Sequence, residues 1–121
     1  MKINSYFDIG ANLTHESFDK DLITVIEEAK QNNVKKICIT STSIEDTRVS
    51  LKLLENDQDF FITTCGIHPH YADTFEESNI REIKELSEHP SVKAIGETGL
   101  DFNRNYSRKD NQILCFKSQI E

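Results

Sequence analysis

The chain has 121 residues, 36% of them hydrophobic and 29% charged, with a formal net charge of −7. That length fits one domain with its own core, short of the ~250 residues of a closed eight-stranded α/β barrel, and the composition excludes a disordered or membrane-embedded chain. The acidic balance also excludes attraction of nucleic acid through the overall field, so phosphate binding would need a local basic patch or bound cations.

Tyr6-Phe7-Asp8-Ile9-Gly10 predicts a first strand that ends at Gly10-Ala11-Asn12-Leu13-Thr14. Phe18, Leu22, Val25, Ile26 and Ala29 then recur at helical spacing, and Asn32-Asn33 closes that helix. Lys35–Thr40 predicts the second strand. After it, Ser43 with Asp46 resembles a capping box opening a helix that turns Ile44, Val49, Leu53 and Leu54 inward. Phe60–Ile67 is the third predicted strand, ending at His68-Pro69-His70, with a loop to about Ser78. A third helix follows from Asn79 to His89, with Ile80, Ile83 and Leu86 inward. Pro90 stops it, and Ser91-Val92-Lys93-Ala94-Ile95 predicts a short buried strand running into Gly96-Glu97-Thr98-Gly99-Leu100-Asp101. A polar loop, Asn103 to Arg108, leads to a last helix carrying Ile113, Leu114, Phe116 and Ile120.

Strands starting near residues 6, 35, 60 and 92, each followed by a helix, match βαβ units of about 30 residues and hence a parallel α/β sheet. The last helix carries no Gly, Asn or Pro stop signal, and a four-stranded parallel sheet leaves two edge strands unpaired. Both features lead to the expectation of half of a larger barrel, with a small open α/β sheet as the alternative. Cys38, Cys65 and Cys115 sit singly in apolar runs without metal-binding spacing, which predicts free thiols in a reducing compartment. The segment Met1–Asp8 lacks the apolar core of a signal peptide, and no run approaches ~18 apolar residues. A cytoplasmic protein without a membrane partner is the expectation.

All four strand ends carry polar groups: Asn12 and Thr14; Ser41 and Thr42; His68 and His70; Glu97 and Asp101. In a parallel sheet these ends share one rim, where α/β proteins keep their chemistry. The glycines at 96 and 99 let the backbone turn tightly and a ligand approach closely. Glu97 offers hard oxygen ligands suited to Mg²⁺ or Mn²⁺; its plain alternative is a strand end with acids facing water. In an extended His68-Pro69-His70 segment both imidazoles project to one side, able to ligate a metal or contact phosphate, against the alternative of two solvent-facing loop histidines. Arg104, Arg108 and Lys109 form the local basic patch that the net charge lacks, or simply an ordinary solvated loop. His15 and His89 read as structural, and Asp73, Glu76 and Glu77 as a solvated face. No Walker loop, Gly-x-Ser-x-Gly or Gly-x-Gly-x-x-Gly is present.

Three stretches now point to one family. Phe7-Asp8-Ile9-Gly10-Ala11-Asn12-Leu13-Thr14, Gly66-Ile67-His68-Pro69-His70 and Ala94-Ile95-Gly96-Glu97-Thr98-Gly99-Leu100-Asp101-Phe102-Asn103-Arg104 resemble, in order and spacing, the TatD family of metal-dependent deoxyribonucleases. The resemblance implies a TIM-barrel (β/α)8 metal-dependent hydrolase, of which residues 1–121 hold about the first four β-α units as the N-terminal half of a single domain. It implies a nuclease cleaving phosphodiester bonds of DNA, and of RNA as a further substrate, from 3′ ends with a divalent metal: Mg²⁺ first, Mn²⁺ or Zn²⁺ as alternatives. Glu97 matches the family's metal-bridging glutamate and takes the catalytic role. His68 and His70 match its His-Pro-His strand end, expected to face the scissile phosphate, and Arg104 matches a basic position beyond Gly-Leu-Asp-Phe. Asn12 and Asp101 are further rim candidates. DNA would be held through the metal and the basic patch.

Two departures stand beside the match. Many relatives carry His-x-His at the end of the first strand, where this chain has Gly10 and Asn12. The DIGxNLT form resembles the TatD branch proper, so one metal position is expected to be weaker or differently filled. The family's remaining ligands, two histidines and an aspartate on later strands, have no counterpart before Glu121. This gives an alternative expectation, a truncated and catalytically inactive half-barrel that persists by self-association or by pairing its open sheet edges with another chain. A flavodoxin-like nucleotide-binding module is a weaker third expectation, since it needs phosphate-loop glycines where only Gly10 stands.

Overall fold

The apolar runs become four parallel strands, hydrogen-bonded side by side in chain order: β1 (Tyr6–Ala11), β2 (Val34–Ile39), β3 (Phe61–Cys65) and β4 (Val92–Ile95). The structure, a computed structural model, describes residues 4–121. Met1–Ile3, part of the opening segment read above for a leader, lie outside the described residues. Between the strands run α1 (Leu22–Gln31), α2 (Ile44–Leu54) and α3 (Ser78–Ser87), and α4 (Lys109–Ile120) follows β4. The strand order 1-2-3-4 decides the architecture. Right-handed crossovers that always step the same way put every helix on one face and wind the sheet as an arc of a barrel. A flavodoxin-like sheet reverses direction after its first strands, giving the order 2-1-3, so that expectation is set aside.

One face of the arc is packed by the helices. Leu13, Ile37, Ile39, Leu54, Phe60 and Phe61 form one apolar cluster, with Phe18, Leu22, Ile26 and Leu51 against it. Ile44, Cys65, Ile67, Ala72, Ile83 and Cys115 form a second, joined by Ile80, Leu86 and Val92. The expected inward face of α3 is therefore the packed one. Cys38, Cys65 and Cys115 are free and buried, and burial pushes all three thiols up, which keeps them as protonated packing groups. Asn33 takes φ 66 just past α1, the left-handed residue that closes a helix.

Several local expectations change. Residues 91–95 are not a buried strand: Ser91 is buried and Val92 partly so, but Lys93, Ala94 and Ile95 are exposed. β4 is an edge of the sheet, as is β1, where Ile9 is 80% exposed. Phe18 leaves the first helix for a separate 3-10 turn, Glu16–Phe18, capped by the His15 ring, which accepts the Ser17 N–H at 3.1 Å. In α2 the buried stripe is Ile44, Thr47, Ser50 and Leu54, while Val49 is exposed. Ser43 caps that helix through the Asp46 N–H at 3.1 Å, but Asp46 does not return to Ser43; its carboxylate accepts the Thr42 N–H at 2.8 Å instead.

The buried residues of α4 are Gln112 and Cys115, and Ile113, Leu114 and Ile120 face outward. Backbone groups left free at the strand ends draw the two glutamines of α4 inward. Gln119 exchanges two hydrogen bonds with Ile67, accepting its N–H at 2.8 Å and donating to its carbonyl at 3.1 Å. A buried polar group needs a partner, and this requirement outweighs the apolar count of the helix.

Candidate active site

The strand ends are tied to one another before any side chain matters. Thr40 N–H donates to Ala11 O at 3.0 Å, His68 N–H to Thr42 O at 2.9 Å, Gly96 N–H to Cys65 O at 2.9 Å and Glu97 N–H to Ser41 O at 2.7 Å. The β3–β4 part of this lacing depends on Gly66. A Cβ there would lie 2.7 Å from the Gly96 carbonyl carbon and 2.9 Å from the Glu97 carbonyl oxygen, closer than real atoms approach. The glycines singled out in the sequence divide differently: Gly99 has φ +148, which side chains rarely adopt, whereas a Cβ at Gly96 would meet only the Thr98 nitrogen, at an ordinary contact distance of 4.0 Å.

His68 and His70 meet, though not by the route their spacing predicts. Only His68 is extended, with φ −63 and ψ 146; Pro69–Thr74 forms a 3-10 helix. His68 Nδ1 accepts the His70 N–H at 3.1 Å, which turns the chain back and sets the rings edge-to-face, 4.2 Å between centroids. With Nδ1 accepting, a neutral His68 carries its proton on Nε2. Burial holds the His68 ring below its ordinary pKa; His70 and Arg104 push the same way, and the Glu97 and Asp101 charges oppose them.

Asp101 is the second anchor. Its Oδ2 lies 2.7 Å from His70 Nε2, and its Oδ1 accepts the Arg104 N–H at 3.0 Å and the Asn103 N–H at 3.1 Å. The Arg104 backbone bond first, then the His70 ring, hold its carboxyl down to about 2. An ionised Asp101 accepts, so His70 donates from Nε2. Glu97 and Arg104 are exposed, and both act on His68 through their charge. His68, His70, Asp101, Glu97 and Arg104 therefore share one part of the rim. Asn12 is not drawn into it: exposed at the end of β1, its Oδ1 pairs with the Thr14 hydroxyl at 3.3 Å.

Several residues that hold this arrangement escaped the sequence pattern. Gln112, 1% exposed, accepts the Asp101 N–H at 2.8 Å and donates to Ser107 O at 2.8 Å and to Asp101 O at 3.2 Å. Buried Ser107 donates to His70 O at 2.8 Å and accepts the Asp73 N–H at 3.1 Å. Asp73, read above as solvated, accepts from the Asn111 side chain at 2.8 Å and from Arg108 N–H at 2.9 Å at the start of α4, and both lower its pKa. His89, read as structural, accepts the Ser91 N–H at 3.1 Å. Nothing in helical periodicity marks a buried glutamine. Tyr106, an aromatic inside a polar loop, carried a signal that was there to be read.

Among the described residues no group of three or more His, Cys, Asp or Glu side chains is placed to hold a metal ion. Thr98 Oγ1, beside Glu97, is buried without a partner among the described residues, so this corner offers one carboxylate and one neutral oxygen. The residues present do not by themselves fit a metal centre.

The profile of the family described as TatD related DNase matches residues 7–121. The chain is 43% identical over 114 residues to a 3'-5' ssDNA/RNA exonuclease TatD from Musicola paradisiaca, covering 94% of this chain and 43% of that protein. It is 41% identical over 114 residues to the protein of that name from Rahnella sp., with the same 94% and 43% covered. In three dimensions it is similar to a TatD family hydrolase from Entamoeba histolytica, with a TM-score of 0.86 and 28% identity, over 96% of this chain and 44% of that one. The chain thus spans less than half the length of the relatives it matches, and its four-stranded arc corresponds to part of their barrel.

Proposed function

The chain belongs to the TatD-related DNase family, and from that premise we propose that it carries the phosphate-facing side of a metal-dependent 3′-5′ exonuclease acting on DNA, and on RNA as a further substrate. The observation that supports this most is the convergence of His68, His70, Asp101 and Glu97 at the carboxyl ends of β3 and β4. His68 would donate from Nε2 to a phosphate oxygen. His70, whose Nε2–H is given to Asp101, would join that contact only as an imidazolium donating from Nδ1, and Arg104 would add its charge, since charged and N–H donors on one rim are what a phosphodiester needs. Glu97 would serve as the carboxylate donor to the metal, Mg²⁺ before Mn²⁺ or Zn²⁺ because its oxygens are hard ligands. Further donors are required, because the described residues do not complete the site.

We place the protein in the cytoplasm on its three buried free thiols. Among the described residues no helix is long and apolar enough to cross a membrane.

A chimera tests the reading: this chain joined to the remaining part of the Musicola relative, assayed on 3′-labelled single-stranded DNA with Mg²⁺. Digestion that disappears in EDTA and falls at least ~100-fold in Glu97→Gln is the expected outcome, given the several kcal/mol that a bound metal contributes. Full activity of Glu97→Gln would remove the metal role.

A second reading rests on the exposed Tyr6, Phe7 and Ile9 of β1 and Ile95 of β4. On its own this stretch of chain would be catalytically silent and would self-associate through its open edges. Sedimentation of the 121-residue chain separates the two, since a clean monomer removes the second.

A further inference from the structure

The loop between β4 and α4 displays one large side chain that the core does not use. Tyr106 is 69% exposed, yet its ring meets the His70 ring edge-to-face at 4.7 Å and 83°. Its position is anchored from both sides. Asp101 holds the Asn103 and Arg104 backbone before it, and buried Ser107 bonds to His70 O after it. Asn105, in the left-handed region at φ 52, turns the chain immediately before Tyr106, and its side chain donates to Phe102 O at 3.0 Å. Arg104 and Arg108 stand two residues before and two after it in the chain, and both are exposed.

A fixed aromatic ring, open to water, in a loop that carries two exposed arginines and in contact with the His70 ring of the proposed phosphate site, offers what single-stranded nucleic acid requires: a stacking surface in a segment with backbone-neutralising charge. The net charge of −7 makes this local cluster, rather than the overall field, the place for a polyanion.

We propose that Tyr106 stacks one unpaired nucleobase of the strand whose phosphate lies against His68 and His70, and that this contact makes the site select single strands over duplex. The proposal rests on the nuclease reading above and assigns its strand preference to one side chain. A paired base inside a duplex has both faces covered by its neighbours, so it cannot take the Tyr106 ring as a partner without first leaving the stack. Any base has a π-face, so the contact tolerates sequence. Arg104 and Arg108 act on the backbone and should make binding salt-dependent.

The experiment uses the 121-residue chain and short single-stranded oligonucleotides carrying a 5′ dye, with 2-aminopurine at one position at a time counted from the 3′ end. Dye anisotropy reports binding, and 2-aminopurine quenching reports stacking. The expected result is binding, with quenching concentrated at one position. Tyr106→Phe keeps both; Tyr106→Leu loses the quenching and weakens binding about tenfold. An oligonucleotide abasic at that position should bind the unaltered chain and Tyr106→Leu alike. Because the ring is exposed, thermal unfolding of Tyr106→Leu should match that of the unaltered chain, which separates stacking from folding. Binding with quenching that survives Tyr106→Leu overturns the Tyr106 assignment and leaves the nuclease reading standing. No anisotropy change with any oligonucleotide overturns the Tyr106 assignment, and the nuclease reading then stands or falls by the digestion assay of the chimera.

Discussion

The rim has two sides that end differently. At the β1–β2 side its polar groups satisfy one another: the Asp46 carboxylate takes the Thr42 N–H and both the Thr42 and Thr14 hydroxyls, and Thr14 in turn faces Asn12. At the β3–β4 side the backbone is laced as tightly, but the side chains keep functional atoms facing outward. His68 accepts a backbone bond on Nδ1 and leaves Nε2, while Glu97 and Arg104 stay exposed. Polar residues at strand ends are thus no measure of chemistry by themselves. What separates the two sides is whether neighbouring backbone and side chains have already used the donors and acceptors. Asp46 and Asp101 are both carboxylates bonded to backbone N–H groups; one closes a knot of hydroxyls and the other orients an imidazole.

The largest effect that would break this comparison is expected from Gly66→Ala. A methyl group 2.7 Å from the Gly96 carbonyl carbon must push β3 and β4 apart at the rim. Backbone on both sides leaves little room to yield, so a loss of about 3 kcal/mol is expected in urea unfolding. The exposed rim residues should show shifted chemical shifts in whatever remains folded. A change below ~0.5 kcal/mol would mean that the strands do not approach as described.

Asp46→Ala should come next and sharpen the contrast. It removes charged acceptors from the Thr42 N–H and two hydroxyls, and hydrogen bonds to charged groups contribute about 1.5–3 kcal/mol each way. With partial rehydration at this half-exposed site, a loss of about 2 kcal/mol is expected in the same unfolding assay. Oligonucleotide affinity of the folded fraction should stay unchanged, because the β1–β2 side is structural; a tenfold loss of affinity would erase the distinction between the two sides.

The smallest effect is in acid. Asp101 sits at about 2 in the folded chain against an ordinary 3.8. A depressed folded-state value means that its contribution to stability is present above pH ~4 and is lost as the pH falls towards 2. His68, also depressed, adds a loss that begins as the pH falls below its ordinary 6.5. Circular dichroism of Asp101→Asn should show a shallower decline in stability between pH 4 and 2 than the parent, while the His68 slope below 6.5 is kept or deepened, because the Asp101 charge that holds that ring up is gone. An identical decline in both proteins would separate Asp101 from the acid response.

The alternation of strands and helices and the family of this chain were legible in its sequence, because both depend on local patterns. Strand and helix periods repeat four times, Ser43 and Asn33 mark helix ends, and the three motifs lie in contiguous stretches. His68, His70, Glu97 and Asp101 could be picked out because each sits at a strand end. Burial was less legible. The 91–95 run reads as a core strand, and Ile113, Leu114 and Ile120 read as a core face, but all of these except Ser91 and Val92 are exposed. Hydrophobicity tells what a residue prefers in water, whereas exposure depends on which elements lie across from it.

The sequence alone determined the order of elements and the residue types at the rim, since propensity, turns and motif spacing act over a few residues. Only the tertiary structure decided which of those residues meet. Gln112 reaches Asp101 across eleven residues, His70 reaches Asp101 across thirty-one, and Gln119 reaches Ile67 across fifty-two. Such partnerships are chosen when buried donors and acceptors must be satisfied at once, a condition on the packed whole that no short stretch of sequence contains.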